Sequence, residues 1–456
     1  MAEKHEIGSS RFVYLATAVS ALGGMLFGYD IGVISGAILF VQKAFSLSPG
    51  LEEIVVSSVL LGSLLGAMAG GALADRLGRR KLLIGTAVFF GVGAIGAALA
   101  PGTALLVVAR VVAGVAIGIT SFVAPLYISE IAPVKIRGKL VSVNQLAITV
   151  GIVISYLIDY AFADYGAWRW MFAMAVVPAA AFGVGLLFIP DSPRWLASRG
   201  HMDRARAVLG RIRRPEQVEG ELGEIQHGLS QQKGNWSELL SASLRPAMIV
   251  GVGLAIAQQI TGINTVIYYA PTIFRVAGLS SDSVAILASV GVGVINVAMT
   301  VVAMQLIDRV GRRPLLLVSL AGMTVSLFIL GVAFALPRFA GSLGWIAVIS
   351  LMVYVGAFAV GLGPVFWLVL SEIYPLRIRG RAMSVGTVAN WGGNLAVALT
   401  FLTLTHGLGK AGTFWLFGVV SIAAWLFAFF MVPETKGKTL EQIEAHWRAG
   451  KKPLAL

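Results

Sequence analysis

The chain has 456 residues, of which 57% are hydrophobic and only 12% charged, with a net charge of +13, and its mean hydropathy is +0.85. A water-soluble domain covers its surface with roughly 25% charged residues, so this composition excludes a soluble globular protein and points to a lipid-facing exterior. The absence of cysteine excludes disulfides and thiolate metal sites, and His5, His201, His227, His406 and His446 lack ligand spacing, so neither a metal nor a cofactor is expected.

Crossing roughly 30 Å of hydrocarbon takes about 20 apolar residues. Twelve such runs appear, at 12–38, 53–74, 82–100, 103–128, 139–161, 169–190, 247–274, 284–307, 315–336, 343–370, 381–405 and 412–432. The first exceeds 25 residues and is followed by no small-residue cleavage site, so it is expected to stay as a span. Lys and Arg then orient the chain, because short basic loops remain cytoplasmic. With both termini inside, the cytoplasmic segments hold 29 of the 35 basic residues, the outer loops five (Lys43, Arg169, Arg275, Arg338, Lys410) and the spans one, Arg110. The positive charge is thus spread over separate segments beside the spans, which argues against nucleic acid as the partner and for a multi-pass protein of the cytoplasmic membrane.

The longest polar stretch, 191–245, separates six spans from six, and its alternating charges predict short amphipathic helices. Internal repetition supports the division. Asp75-Arg-Leu-Gly-Arg-Arg80 recurs as Asp308-Arg-Val-Gly-Arg-Arg313, Ser129-Glu-Ile-Ala-Pro-Val-Lys-Ile-Arg-Gly-Lys139 as Ser371-Glu-Ile-Tyr-Pro-Leu-Arg-Ile-Arg-Gly-Arg381, and Pro190-Asp-Ser-Pro-Arg194 as Pro433-Glu-Thr-Lys-Gly437. The expected organisation is an all-α integral membrane protein of two six-helix bundles, 1–190 and 246–432, with a helical cytoplasmic linker, 191–245, and a cytoplasmic tail, 433–456. Parallel repeats with a site between them at mid-depth are the architecture of a rocking transporter.

These motifs, with Gln258-Gln259-Ile-Thr-Gly-Ile-Asn264, resemble the sugar porters of the major facilitator superfamily, from about Gly23 to Leu440. The resemblance implies two six-helix bundles, a monosaccharide carried with a proton, and a functional monomer. A passive facilitator and a proton-coupled polyol or inositol transporter are the alternatives. A membrane enzyme would need a convergent nucleophile, base or metal set, and none is visible.

Within the spans, the charged side chains read from the sequence are Asp30 in the first and Arg110 in the fourth. Each is costly there unless paired or facing water, and at about 1.5 Å per residue both lie at similar depth. Hydration and ion pairing act in opposite senses on a carboxyl, so opening and closing a cavity around Asp30 can switch its protonation. The resemblance implies the same proton-coupling role, because proton-coupled members carry an acid in the segment matching Gly28-Tyr-Asp-Ile-Gly32.

A monosaccharide is uncharged and rich in hydroxyls, so its site needs amides and aromatic faces. Amides stand in the apolar spans at Gln145, Gln258, Gln259, Asn264, Asn296, Asn390 and Asn394. Gln258 and Gln259 point about 100° apart on a regular helix, so one regular helix is not expected to aim both at a ligand, and Gly262 is positioned to loosen it. Gly361-Leu-Gly-Pro364 is expected to break the tenth span. By resemblance, Gln145, Gln258, Gln259, Asn264, Asn296, Trp367 and Asn390 contact sugar, Phe27 and Trp391 complete the lining, and Tyr268 and Tyr269 gate the outer mouth. Arg79, Arg80 and Arg137 with Glu130 and Asp191, and Arg312, Arg313 and Arg379 with Glu372 and Glu434, are expected to form a cytoplasmic gate.

Overall fold

The computed structural model describes residues 2–456 apart from 134–135, 231–235, 242, 376–377, 439, 450–453, 455 and 456; the side chains of 2–10, 230, 440, 441 and 448 also lie outside the described set. Among the described residues there are helices and no strands. Backbone groups in hydrocarbon have no water to bond, so a chain this apolar must satisfy them within helices.

Among the described residues, eleven helices are long and apolar enough to span a membrane: Arg11–Phe45, Pro49–Leu77, Arg79–Ala98, Thr103–Ile131, Arg137–Ala163, Trp168–Leu187, Arg245–Tyr268, Asp282–Val310, Arg312–Ala335, Leu343–Glu372 and Gly409–Met431. A twelfth, Arg379–Ala398 followed by Phe401–Gly407, is bent by 40° and takes the place of the predicted eleventh span. In chain order these are the first to the twelfth spans. They extend beyond the predicted runs at several ends, so that Arg79, Arg137, Arg312 and Arg379 open helices rather than lie in loops. The linker forms the expected short helices, Pro193–Ser198, Met202–Ile212 and Pro215–Ser230. Ser192 starts the first by accepting the Trp195 N–H at 3.2 Å, with Pro193 at the position where a missing N–H costs nothing.

The chain folds into two compact units, 1–30 with 61–151 and 172–232, and 31–60 with 152–171 and 233–456. In the first unit, Gly24 and Gly28 of the first span lie so close to Asn144 and Ile148 of the fifth that a β-carbon would collide, and Gly62 and Gly66 of the second meet Val111 and Val115 of the fourth in the same way. Between helices in lipid, small residues permit this close packing, where no hydrophobic drive exists to hold the helices together. The ladder continues inside the second unit, where Gly32 and Gly36 abut Ser155 and Asp159.

Counting spans along the chain, alternate span ends fall on the side of the linker, called here the linker face, and the others on the opposite side, called the far face. The second unit ties the far-face ends of the first, second and fifth spans to the later helices. Lys43 pairs with Asp282 at 2.6 Å, and Arg275 with Asp282 at 2.9 Å. Ser283 donates to Asp164, and Glu53 accepts from Thr403. Leu39, Ala163 and Ile286 form a buried apolar cluster there.

Candidate functional site

Breaks in the seventh and tenth spans place many of the site's polar groups. In the seventh, a regular helix runs to Ile260, then Gly262 turns left-handed at φ 89°, and a short helix, Ile263–Tyr268, follows. Glycine alone adopts that conformation without a β-carbon penalty. The Thr261 carbonyl at the break is satisfied by the Tyr354 hydroxyl at 2.8 Å. In the tenth, the helix stops at Val360 and restarts at Leu362, whose N–H donates to Ser319 Oγ at 3.0 Å. Pro364 has no N–H to give the preceding turn, which accounts for the break.

Four of the predicted amides, three of them buried and Asn264 half-buried, form one network across these breaks. Gln258 Nε2 donates to the Leu362 and Gly363 carbonyls at 3.1 and 3.2 Å. Asn390 Nδ2 donates to Gln258 Oε1 at 2.7 Å and to the Ala255 carbonyl at 3.2 Å. Gln259 Nε2 donates to Asn390 Oδ1 at 3.1 Å and Gln258 Oε1 at 3.3 Å, and Asn264 Nδ2 donates to Gln259 Oε1 at 2.8 Å. Gln258 and Gln259 both stand on the unbroken part of the seventh span, and side-chain length lets Gln259 bend onto Gln258. The break acts two residues later, folding Asn264 back to them.

Around the network, Asn394 Nδ2 lies 3.4 Å from the Tyr268 hydroxyl. Tyr268 and Tyr269 are buried, and the Tyr269 ring stacks on Phe401 at 5.1 Å between centroids. Asn296 and Trp391 are buried as well. Trp367 is 36% exposed, with its ring 4.7 Å from that of Phe366. All these belong to the second unit. Gln145 and Phe27, both half-buried, belong to the first.

Also in the first unit, the structure brings Asp30 and Arg110 together, with Oδ2 and Nη2 3.6 Å apart. Arg110 is 1% exposed and sits 5.9 Å from the centre of the Phe172 ring. The reading that Asp30 is the acid within the spans is corrected. Asp159 in the fifth span is 0% exposed and Glu53 in the second is 4% exposed. Both lie near the ends of the apolar runs, where the helices go on and neighbouring helices cover them, so hydropathy alone does not mark them as buried.

On the linker face the repeated motifs build the same knot twice. Gly78 and Gly311 turn at φ 89° and 110°. Arg79 then grips Glu130 through Nε and Nη2, both at 3.0 Å, and Arg312 grips Glu372 at 3.3 and 2.9 Å. Asp191 accepts the Arg80 N–H at 3.0 Å, and Glu434 those of Arg312 and Arg313 at 3.1 Å each. Burial pushes the Asp191 carboxyl above its usual range, opposed by the Arg80 N–H and by the charges of Arg80, Lys81 and Arg79. Each of these bonds stays within one repeat. Arg379 caps the Tyr374 carbonyl, while Arg137 is exposed and joins none of them. Sequence reasoning missed Arg213, which reaches from the linker to the Ile131 and Ala132 carbonyls at the end of the fourth span.

Paired broken helices around a buried amide cluster, in a chain that also pairs an acid with a base inside its spans, define a helical carrier for a small polar solute. The family model described as "Sugar (and other) transporter" matches residues 16–447, and the chain belongs to that family, the sugar porters of the major facilitator superfamily. It is a multi-pass membrane protein. It is 45% identical to the putative metabolite transport protein YwtG of Bacillus subtilis (strain 168), over 94% of this chain and 93% of that one. It is 38% identical to the galactose-proton symporter of Escherichia coli (strain K12), over 99% and 98%. Its backbone matches the partially occluded inward-open conformation of the xylose transporter XylE from E. coli with a TM-score of 0.84 at 35% identity, over 94% of this chain and all of that one.

Proposed function

We propose that this chain imports a monosaccharide, hexose or pentose, together with a proton across the cytoplasmic membrane by alternating access, as a monomer with both termini inside. The observation that carries the reading is the network of Gln258, Gln259, Asn264 and Asn390 at the two helix breaks. Amides that bond one another and backbone carbonyls are held in fixed positions: the four bonds of Gln258 use its full capacity and fix its neighbours, while Gln259, Asn264 and Asn390 each retain donor or acceptor capacity for a hydroxyl. Asn296, Trp367 and Trp391 extend this surface, with Tyr268 and Tyr269 closing it toward the far face. Gln145 and Phe27 are assigned to sugar contact on the sequence resemblance alone.

Asp30 carries the proton, and the permanently charged Arg110 guanidinium is the cation that competes with that proton for the carboxylate. A gap of 3.6 Å is too long for a good hydrogen bond, which leaves the carboxyl free to exchange its partner for a proton. The repeat offsets support six-helix bundles at 1–190 and 246–432, joined by the linker 191–245 and followed by the tail 433–456. The knots of Arg79, Arg80, Glu130 and Asp191 and of Arg312, Arg313, Glu372 and Glu434, with Arg137 and Arg379 beside them, form the gate on the cytoplasmic side. Relatives that carry galactose with a proton, and xylose, favour a monosaccharide over other solutes.

Uptake of a panel of labelled sugars into proteoliposomes, with and without an imposed pH gradient, tests this. Concentrative uptake of a pentose or hexose only when the gradient is present is expected. Uptake that merely equilibrates under both conditions would make the protein a passive facilitator, and uptake confined to inositol would make it a polyol carrier.

A further inference from the structure

Asp159 lies one turn from the far-face end of the fifth span, takes no part in the amide network or the Asp30–Arg110 pair, and is 0% exposed. Neither of its carboxylate oxygens finds a hydrogen-bond partner among the described residues. The carboxylate is pressed against the first span, where a β-carbon on Gly36 would fall 2.5 Å from Oδ2. One turn outward lies the buried apolar cluster of Leu39, Ala163 and Ile286. One turn inward, the Tyr156 hydroxyl donates to the Ile267 carbonyl at 3.2 Å. Far-side water therefore reaches Asp159 only when the first and fifth spans part from the seventh and eighth.

Among the described residues, no cation is set against this carboxylate. The first span offers Ser35 and Gly36, neither ionisable, and the fifth offers Tyr156, whose hydroxyl is engaged. The charged groups of the far-face ends, Lys43, Arg275 and Asp282, are paired with one another, and Asp164 is held by Ser283. In these surroundings an ionised carboxylate would forfeit its hydration for at most the neighbouring Gly36 N–H, which falls short of a well-formed hydrogen bond, so the closed arrangement holds the neutral acid.

We propose that Asp159 is a second proton-binding site, loaded from the far side as that face closes and emptied to the same side when it opens. One proton leaves far-side water and bonds to a carboxylate oxygen on closure, and the same proton returns on opening. The site thus adds nothing to the number of protons carried per sugar. It makes closure of the far face depend on far-side pH, and it rests on the far-face contacts rather than on the sugar or on Asp30.

The chain has no cysteine, so a single Ala163→Cys reporter in the full-length protein reads far-face opening through its reaction with a membrane-impermeant maleimide in proteoliposomes. An Asp30→Asn background removes the other proton step. Glu52, Glu53, His406, Tyr160, Tyr165, Arg169 and the other titratable groups near that face are the same in both arms. With Asp159 present, labelling relative to the Asp159→Asn protein should rise as far-side pH rises, by up to about tenfold per pH unit once the acid ionises. Dividing by the Asn variant cancels the thiol's own titration. Asp159→Ser, a smaller neutral side chain, should match Asp159→Asn. A ratio that stays constant with pH overturns the proposal, as does an Asp159→Ser protein whose pH response follows Asp159 rather than Asn.

Discussion

Arg312 reaches Glu372 through two N–H groups of one guanidinium, at 3.3 and 2.9 Å, and Arg79 reaches Glu130 in the same way in the other repeat. The Glu372 carboxylate also accepts the Thr435 hydroxyl at 2.6 Å, so three segments of the chain converge on one acid. A fork on a carboxylate fixes geometry as well as charge. Glu372→Gln keeps the shape and removes the charge, and it should loosen this knot by about 1 to 2 kcal/mol, measured as a lower melting temperature in detergent. Accessibility labelling from the linker face should increase in the same variant. Unchanged labelling would remove this acid from the gate.

Arg137 serves as the contrast. Being exposed and outside both knots, Arg137→Ala should change stability by less than about 0.5 kcal/mol, measured in the same melt. A loss as large as that of Glu372→Gln would show that it takes part in a bond made in another state of the carrier.

Gln258→Ala removes the donor to the Leu362 and Gly363 carbonyls and the acceptor for Asn390. The Leu362 and Gly363 carbonyls would lose this donor, and Asn390 and Gln259 their shared acceptor, so the amides left to meet the sugar would shift and affinity should fall by about 1 to 3 kcal/mol, read by binding to the purified protein. Unaltered affinity in a folded variant would take Gln258 out of the site.

Gly262→Ala tests the break in the seventh span. A side chain must adopt φ 89°, and its β-carbon would lie 3.2 Å from the Phe417 ring. The left-handed conformation alone costs roughly 1 to 2 kcal/mol, so the variant should melt lower and lose transport. Full activity would mean that Asn264 does not need the break to reach Gln259.

Asp191 gives a dependence on pH. Burial raises its carboxyl above the ordinary value of 3.8, so the folded state holds its proton more tightly than the unfolded state. The resulting stabilisation is complete in acid and is lost as pH rises through the folded value. Asp191→Asn keeps an acceptor for the Arg80 N–H without the charge. It should be at least as stable as the parent at neutral pH, and that advantage should shrink as pH falls into the carboxylate range. An advantage that grows in acid would contradict the sign.

The twelve-span plan was legible because twenty apolar residues in a row have few other uses, and the knots because Asp-Arg-X-Gly-Arg-Arg and its acids occur twice. The nearness of Asp30 and Arg110 followed from counting depth along two helices. Other features lay outside that reach. Glycine at every fourth position from Gly24 to Gly36 is visible in the sequence, and it is the signal that could have placed the first span against the fifth and exposed Asp159 as buried. The bonds from Gln258 to the Leu362 and Gly363 carbonyls carry no side-chain signal on the acceptor side, because they depend on where a broken helix presents its backbone.

The central claim, that Asp30 carries the coupled proton, is tested most directly by Asp30→Asn, which keeps the shape and cannot exchange a proton. In proteoliposomes with an imposed pH gradient, the variant should bind sugar and exchange it in counterflow while concentrating none. If the pair with Arg110 were only structural, an unpartnered buried guanidinium should cost about 3 to 5 kcal/mol, and binding would fall together with transport. Gradient-driven accumulation that persists in Asp30→Asn would contradict the account, because the proton would then cross by another group.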